Sequence, residues 1–297
     1  MANGIIVIDK APDWTSHDVV AKLRGILGEK RIGHAGTLDP MATGVLPVFV
    51  GRATRAVEFA AETGKEYVAG LKLGLRTDTQ DSTGTVLETR PVSVTPKQLE
   101  AALEPFRGDI LQMPPMFSAL KRDGKKLYEL ARKGIEVERA PRPITIYELQ
   151  CCAFAPKPHG VLPAVTPDYY LRVKCSKGTY IRTLCNDIGE VLGCGGVMCS
   201  LRRIEAAGFT LRDAVTLEEV QKSENPLAFL RPTDSYFQNL PAFQIDGEAL
   251  RLAKNGNPFP SDALPGDYRV YDPIQNFLLV GHCADGILTT TKSFFEV

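Results

Sequence analysis

Chemistry in this chain is concentrated in a short loop, Gly33–Gly44, GHAGTLDPMATG, with three glycines, two alanines, two threonines, one proline and a single acid, Asp39. Small residues let a backbone approach a ligand closely, and glycine accepts backbone angles that other residues avoid. A lone carboxylate in such a loop, followed by the apolar run Val45–Val50, suits a nucleophile or general base. An Asp-Pro pair also simply closes turns, and for an arbitrary Asp-Pro that is the favoured reading. A second motif is SKGTYIRTLCNDIGEVLG, where Arg182 falls in the first turn of a helix predicted to start after Thr179. A cation is disfavoured at that end of the helix dipole, and pairing with a buried carboxylate would supply the reason for it.

The elements that must hold these groups are legible from periodicity. Ile5–Ile8 is an apolar run suited to a buried strand. Thr15 or Ser16 can cap a helix with apolar positions at Val19, Val20, Leu23, Ile26 and Leu27, closed by Gly28. KEYVAGLKL, Lys65–Leu73, reads as a strand with Tyr67, Ala69, Leu71 and Leu73 on one face, which by pattern makes Tyr67 a core residue. Asp78 and Asp81 lie in the polar run Arg76–Gly84 and read as turn residues of an exposed loop, not as ligands. Thr95–Gln98 is a capping box with proline at the first helical position, opening a helix that buries Leu99, Leu103 and Phe106. Leu171, Val173 and Cys175 alternate with Arg172 and Lys174 in a half-buried strand. Thr179 is the expected cap of the Arg182 helix, which packs through Ile181, Leu184, Ile188 and Leu192 and ends at Gly193. Pro156–Pro167, with four prolines, reads as a surface loop.

At 297 residues the chain can hold one large and one small domain. No apolar run approaches the ~20 residues that span a bilayer, and MANGIIVIDK lacks the pattern of a signal peptide. Seven cysteines without a CxxC pair argue against a disulfide framework or a zinc site and for a reducing cytoplasm. LGCGG lacks the strand before it and the acid after it that a dinucleotide fingerprint requires. Net charge is zero but unevenly spread. Residues 107–143 carry nine Lys/Arg against five Asp/Glu, 172–203 six against two, and 204–297 seven against thirteen. The first two segments can form a basic surface for phosphates. Within Gln112–Gly134, Lys121, Lys125 and Lys126 alternate with Phe117 and Tyr128, a mixture suited to gripping a folded RNA loop. A solvated amphipathic helix around Leu127, Leu130 and Ala131 would explain the same pattern.

GHAGTLDPMATGVLP resembles the catalytic motif of the tRNA pseudouridine-55 synthases, the TruB family, with further likeness from GIIVIDK to about Thr216. The resemblance implies an α+β pseudouridine synthase fold, a central mixed, mainly antiparallel sheet flanked by helices, with a small C-terminal β-rich, PUA-like domain. It implies isomerisation of one T-loop uridine to pseudouridine, with the base flipped into a pocket. Asp39, Tyr67 and Arg182 match the family's catalytic residues: the essential carboxylate, the tyrosine stacked on the target base, and the cation beside the acid. All routes open to Asp39 need it ionised, which a neighbouring cation favours. Leu201 matches an apolar floor, Tyr180 a pocket support, His34 a residue entering the T-loop, and Lys10 a motif preceding the first helix. Lys121, Lys125 and Lys126 fall in a segment, about 112–143, resembling a mobile insertion that closes over the T-arm. The chain departs from the family at Lys10-Ala11-Pro12-Asp13, where relatives carry Lys-Pro and a nearby glycine. The implied partner is the tRNA T-arm, bound by a monomer, with no cofactor, no metal and no membrane.

The expected division is a catalytic domain over 1–230 and a PUA-like RNA-binding domain over 231–297, where short strand candidates occur at Tyr268–Tyr271, Phe277–Val280 and Ile287–Thr290. Two alternatives share these motifs: a guide-RNA-dependent synthase, and a tRNA-folding factor with or without catalysis. Intact Asp39, Tyr67 and Arg182 favour an active enzyme, and the absence of long basic tails favours one without a guide.

Overall fold

The computed structural model describes residues 2–122, 124–152 and 165–295. Most of the 156–167 loop therefore lies outside the described residues. The frame is a ten-stranded sheet whose main path runs Val215–Thr216, Gly4–Lys10, Thr43–Val50, Gly196–Ala206, Lys65–Leu73, Tyr169–Cys175, Arg142–Cys152, Gly108–Gln112. Only the contacts of Gly4–Lys10 with Val215–Thr216 and of Thr43–Val50 with Gly196–Ala206 are parallel along it. Gly4–Lys10 and Thr43–Val50 are buried on both faces, which is why they read as near-continuous apolar runs instead of alternating.

Helices cover the sheet where their apolar stripes demand it. Ser16–Leu27 buries Val19, Val20, Leu23 and Leu27 against Ile6, Ile8, Leu46 and Val48. Thr15 caps it in a reciprocal box with Asp18, and Gly28 closes it at a φ of 63°. The opposite layer packs Ile181–Val191 and Pro96–Leu103 over Leu71, Leu73, Leu171, Val173 and Met198. Thr179 does not cap the first of these. Tyr180 occupies the cap position, and the Thr179 hydroxyl donates to the Ser176 carbonyl at 2.9 Å.

A second, five-stranded sheet is ordered Ala242–Gln244, Gly266–Tyr271, Phe277–Ala284, Ile287–Ser293, Phe259–Pro260, with helix Gly247–Lys254 beside it. Phe237, Phe277 and Phe294 form an aromatic wedge between this module and Phe59 of the main body. Arg55 donates to Ser293 Oγ at 2.6 Å, and Lys292 meets Glu58 at 2.6 Å. The module is thus docked, not tethered.

Candidate active site

The Asp39 loop is fixed from beneath by the segment it follows in space. The Leu38 amide donates to Ser16 Oγ at 2.9 Å, and the Ala42 amide to the Asp39 carbonyl at 3.0 Å, closing the turn. The Pro40 carbonyl accepts from both Lys10 Nζ (3.1 Å) and the Asp13 amide (3.0 Å). Gly44 ends the loop at a φ of 102°, and a Cβ there would lie 2.1 Å from the Arg203 carbonyl, so only glycine fits.

Lys10 is 0% exposed, and its ammonium also donates to Trp14 O at 2.6 Å and Ala11 O at 2.9 Å. Burial lowers its pKa to about 8, with Asp39 opposing and Arg203 adding to the shift. With three carbonyls on its three donors it has nothing left for a ligand. In this structure Lys10 thus holds the catalytic loop through Pro40, and the expected substrate contact would have to replace one of these bonds. Asp13 adopts a φ of 64°.

Asp39 keeps 38% of its side chain exposed, while the Arg182 side chain is 9% exposed. Arg182 Nε lies 3.0 Å from Asp39 Oδ2. Its other nitrogens face inward: Nη1 donates to Thr79 O at 3.2 Å and lies 3.7 Å from Asp81 Oδ2, and Nη2 donates to Phe117 O at 2.9 Å. Asp81 is buried, its Oδ1 accepting from the Thr79 hydroxyl (2.8 Å), the Thr83 amide (2.9 Å) and the Thr83 hydroxyl (2.6 Å). It is not part of an exposed loop face, because Arg182 and a strand-like contact with Met198 draw it in.

Tyr67 and Leu201 are both buried and share one apolar cluster with Leu38, Ala42 and Ile181. Burial raises the Tyr67 hydroxyl pKa, against which Arg203 acts. Tyr180 is held by its backbone: its amide donates to Gln112 Oε1 at 2.8 Å, and Gln112 Nε2 returns a bond to its carbonyl at 3.0 Å. His34 packs edge-on to His17 at 5.9 Å between ring centroids. Burial, then His17 and Arg203, lower its pKa to about 4, so it is neutral at physiological pH.

The basic segment is not one amphipathic helix. Lys121–Arg122 and Lys125–Lys126 form a two-stranded hairpin, and among the segment's described residues only Leu127–Ala131 is helical. Lys121 and Lys125 are exposed and Lys126 lies 5.4 Å from the Tyr128 ring centroid. The Phe117 carbonyl ties this flap to Arg182.

The sequence makes Asp81 a turn residue and gives Gln112 and Arg203 no role. Asp81 and Gln112 carry no periodic signal. Arg203 does: it is two residues from Leu201 on one strand, and the two sit opposite Tyr67 and Ala69 respectively.

Residues 24–181 match the TruB family pseudouridylate synthase N-terminal domain, and 182–238 the tRNA pseudouridylate synthase B C-terminal domain. With the sheet and the paired carboxylate, they define a pseudouridine synthase. The chain belongs to the TruB family. It is 46% identical over 274 residues to tRNA pseudouridine synthase B of Ralstonia pickettii (strain 12J), covering 91% of this chain and 84% of that protein. It is 41% identical over 298 residues to the protein of the same name in Clostridium kluyveri, covering 98% and 99%. Among solved structures, a Cbf5-Nop10-Gar1 complex matches with a TM-score of 0.72 and 25% identity over 99% of this chain and 85% of that one. An H/ACA ribonucleoprotein bound to a substrate RNA shares the fold, with a TM-score of 0.71 at 23% identity, over 99% of this chain and 86% of that one.

Proposed function

We infer that this chain isomerises the T-loop uridine at position 55 of tRNA to pseudouridine, acting on the T-arm without a guide RNA. The observation that carries this is Asp39, partly open to solvent, held 3.0 Å from an otherwise buried Arg182 beside Tyr67 and Leu201, in a TruB-family chain. The uridine is flipped out, since a stacked base cannot reach the recess. Its face packs on Tyr67 and Leu201, Asp39 drives cleavage and re-formation of the glycosidic bond, and Arg182 keeps the carboxylate ionised and aimed. Neutral His34 enters the space the base leaves, and Tyr180 shapes the wall.

Lys121, Lys125 and Lys126 carry T-arm phosphates on a flap whose position is coupled to Arg182 through Phe117. Residues 1–230 hold the chemistry, and 231–297 form a PUA-like module that extends the RNA surface. The enzyme works as a cytoplasmic monomer.

Tritium release from one unmodified tRNA transcript labelled at uridine C5, with no other RNA present, tests the reading. Release stoichiometric with that uridine is expected. Tight binding without release would make the chain a folding factor, and release only with added RNA would make it guide-dependent.

A further inference from the structure

Arg203 is a buried guanidinium without an acid. It is 0% exposed, and among the described residues no carboxylate forms an ion pair with it. Two of its nitrogens bond backbone: Nε donates to Val45 O at 2.7 Å and Nη2 to Gly36 O at 3.0 Å. Nη1 is buried and, among the described residues, has no partner at ordinary hydrogen-bond geometry, the Tyr67 hydroxyl being the side-chain group that interacts with the guanidinium. A Cβ at Gly36 would lie 3.3 Å from that nitrogen, so the loop glycine leaves it room. An orphaned donor on a buried cation costs on the order of 1–3 kcal/mol, and such a cost is retained where it serves something. The charge is felt all round: Arg203 helps depress Lys10, His34 and Lys65, after burial in each case.

Across the sheet, Arg203 stands directly opposite Tyr67 in antiparallel register, which puts both side chains on one face. The groups that act on the Tyr67 hydroxyl are Arg203, Cys175 and Asp39, and only Arg203 among them is a cation. Cys175, with its thiol pushed up to about 11 by burial, stays neutral.

We propose that Arg203 is a positioning residue for the proton-transfer step, its unspent Nη1 hydrogens and uncompensated charge being held for the phenolate form of Tyr67. This rests on the isomerase reading above. The isomerisation is proton-neutral: C5 loses a proton when the C5–H pair restores the ring double bond, and N1 gains one. In this proposal the Tyr67 oxygen takes the C5 proton, having first surrendered its own to N1 or to water. Arg203 stabilises the oxygen between those two events and is not itself consumed.

The test places 3-fluorotyrosine at position 67 and follows its ¹⁹F titration in RNA-free protein, with native Arg203, with Arg203→Gln and with Arg203→Lys. The glutamine variant should titrate at least about one pH unit higher than the native arginine, and lysine should lie between. In the native-arginine protein the Arg203 guanidinium ¹⁵N signals should move in step with residue 67, a readout that needs no folded variant of Arg203. Equal titration in all three proteins, or ¹⁵N signals indifferent to residue 67, would overturn the proposal. Because no RNA is present, this can fail while pseudouridine still forms, and the tritium assay can fail while the coupling stands. In single-turnover reactions, the rate deficit of Arg203→Lys should shrink when the more acidic fluorotyrosine replaces Tyr67. An undiminished deficit would also count against it.

Discussion

Arg182 reaches Asp39 sideways, through Nε at 3.0 Å, and spends the two prongs of its fork on Thr79, Asp81 and Phe117. The pair is therefore held by three separate segments of chain. A lysine could reach one of these partners but not all of them. Arg182→Lys should bind tRNA normally and lose at least about 10²-fold in single-turnover rate, since the carboxylate would no longer be held in place. A rate within twofold of wild type would show that charge alone, without the planar fork, suffices.

Asp81 braces the same guanidinium from the side away from Asp39, 3.7 Å from Nη1. Asp81→Asn preserves its shape and contacts with Thr79 and Thr83 but removes the charge. The two meet as an ion pair beyond hydrogen-bond distance, so the loss is Coulombic, and the chemical step should slow by roughly tenfold, about 1.4 kcal/mol. Quench-flow rates and a filter-binding Kd separate this from weakened binding, which should not occur. Unchanged chemistry would leave Asp81 a turn residue.

How far the sequence reached is clearest at these two acids. Asp39 stands out because its small, tight loop matches a family motif, where composition alone would leave an ordinary Asp-Pro turn. Asp81 does not, because a polar run like TDTQDSTG looks the same whether it faces water or folds back under an arginine. Strand periodicity located the element that carries Tyr67, and the apolar spacing of Ile181, Leu184 and Ile188 located the helix that carries Arg182 although its expected Thr179 cap fails, since such patterns depend on neighbours in sequence. Lys10 lay beyond that reach: its three carbonyl partners come partly from a loop thirty residues away. The helix alternative for the basic segment fails for a similar reason. Its apolar spacing fits a helix, but the glycine turn at Gly124, with a φ of 79°, directs a hairpin first.

The hairpin lysines should act on binding and not on chemistry. Replacing Lys121, Lys125 and Lys126 together with alanine removes counterion release at up to three phosphates. The slope of log K against log salt should become shallower by about two, with the rate from the bound state changed little. An unchanged slope would mean the hairpin faces solvent in the complex.

His34 links stability to acid. Its pKa is about 4 in the fold against 6.5 ordinarily, so the unfolded chain binds its proton first. Stability from keeping His34 neutral is whole above about pH 6.5 and is lost as pH falls toward 4, by up to about 3 kcal/mol. His34→Gln should flatten urea-unfolding free energies across that window. A variant as acid-sensitive as wild type would show that His34 is not buried in solution.

The most direct test is the single-turnover rate of Asp39→Asn on an unmodified tRNA transcript, in enzyme free of wild-type protein. The variant should fold, bind tRNA with unchanged affinity, and lose at least about 10⁴-fold in rate, roughly 5–6 kcal/mol of barrier. Turnover within tenfold of wild type would contradict the account, because among the described residues no other carboxylate on Arg182 reaches solvent: Asp81 is buried beneath it.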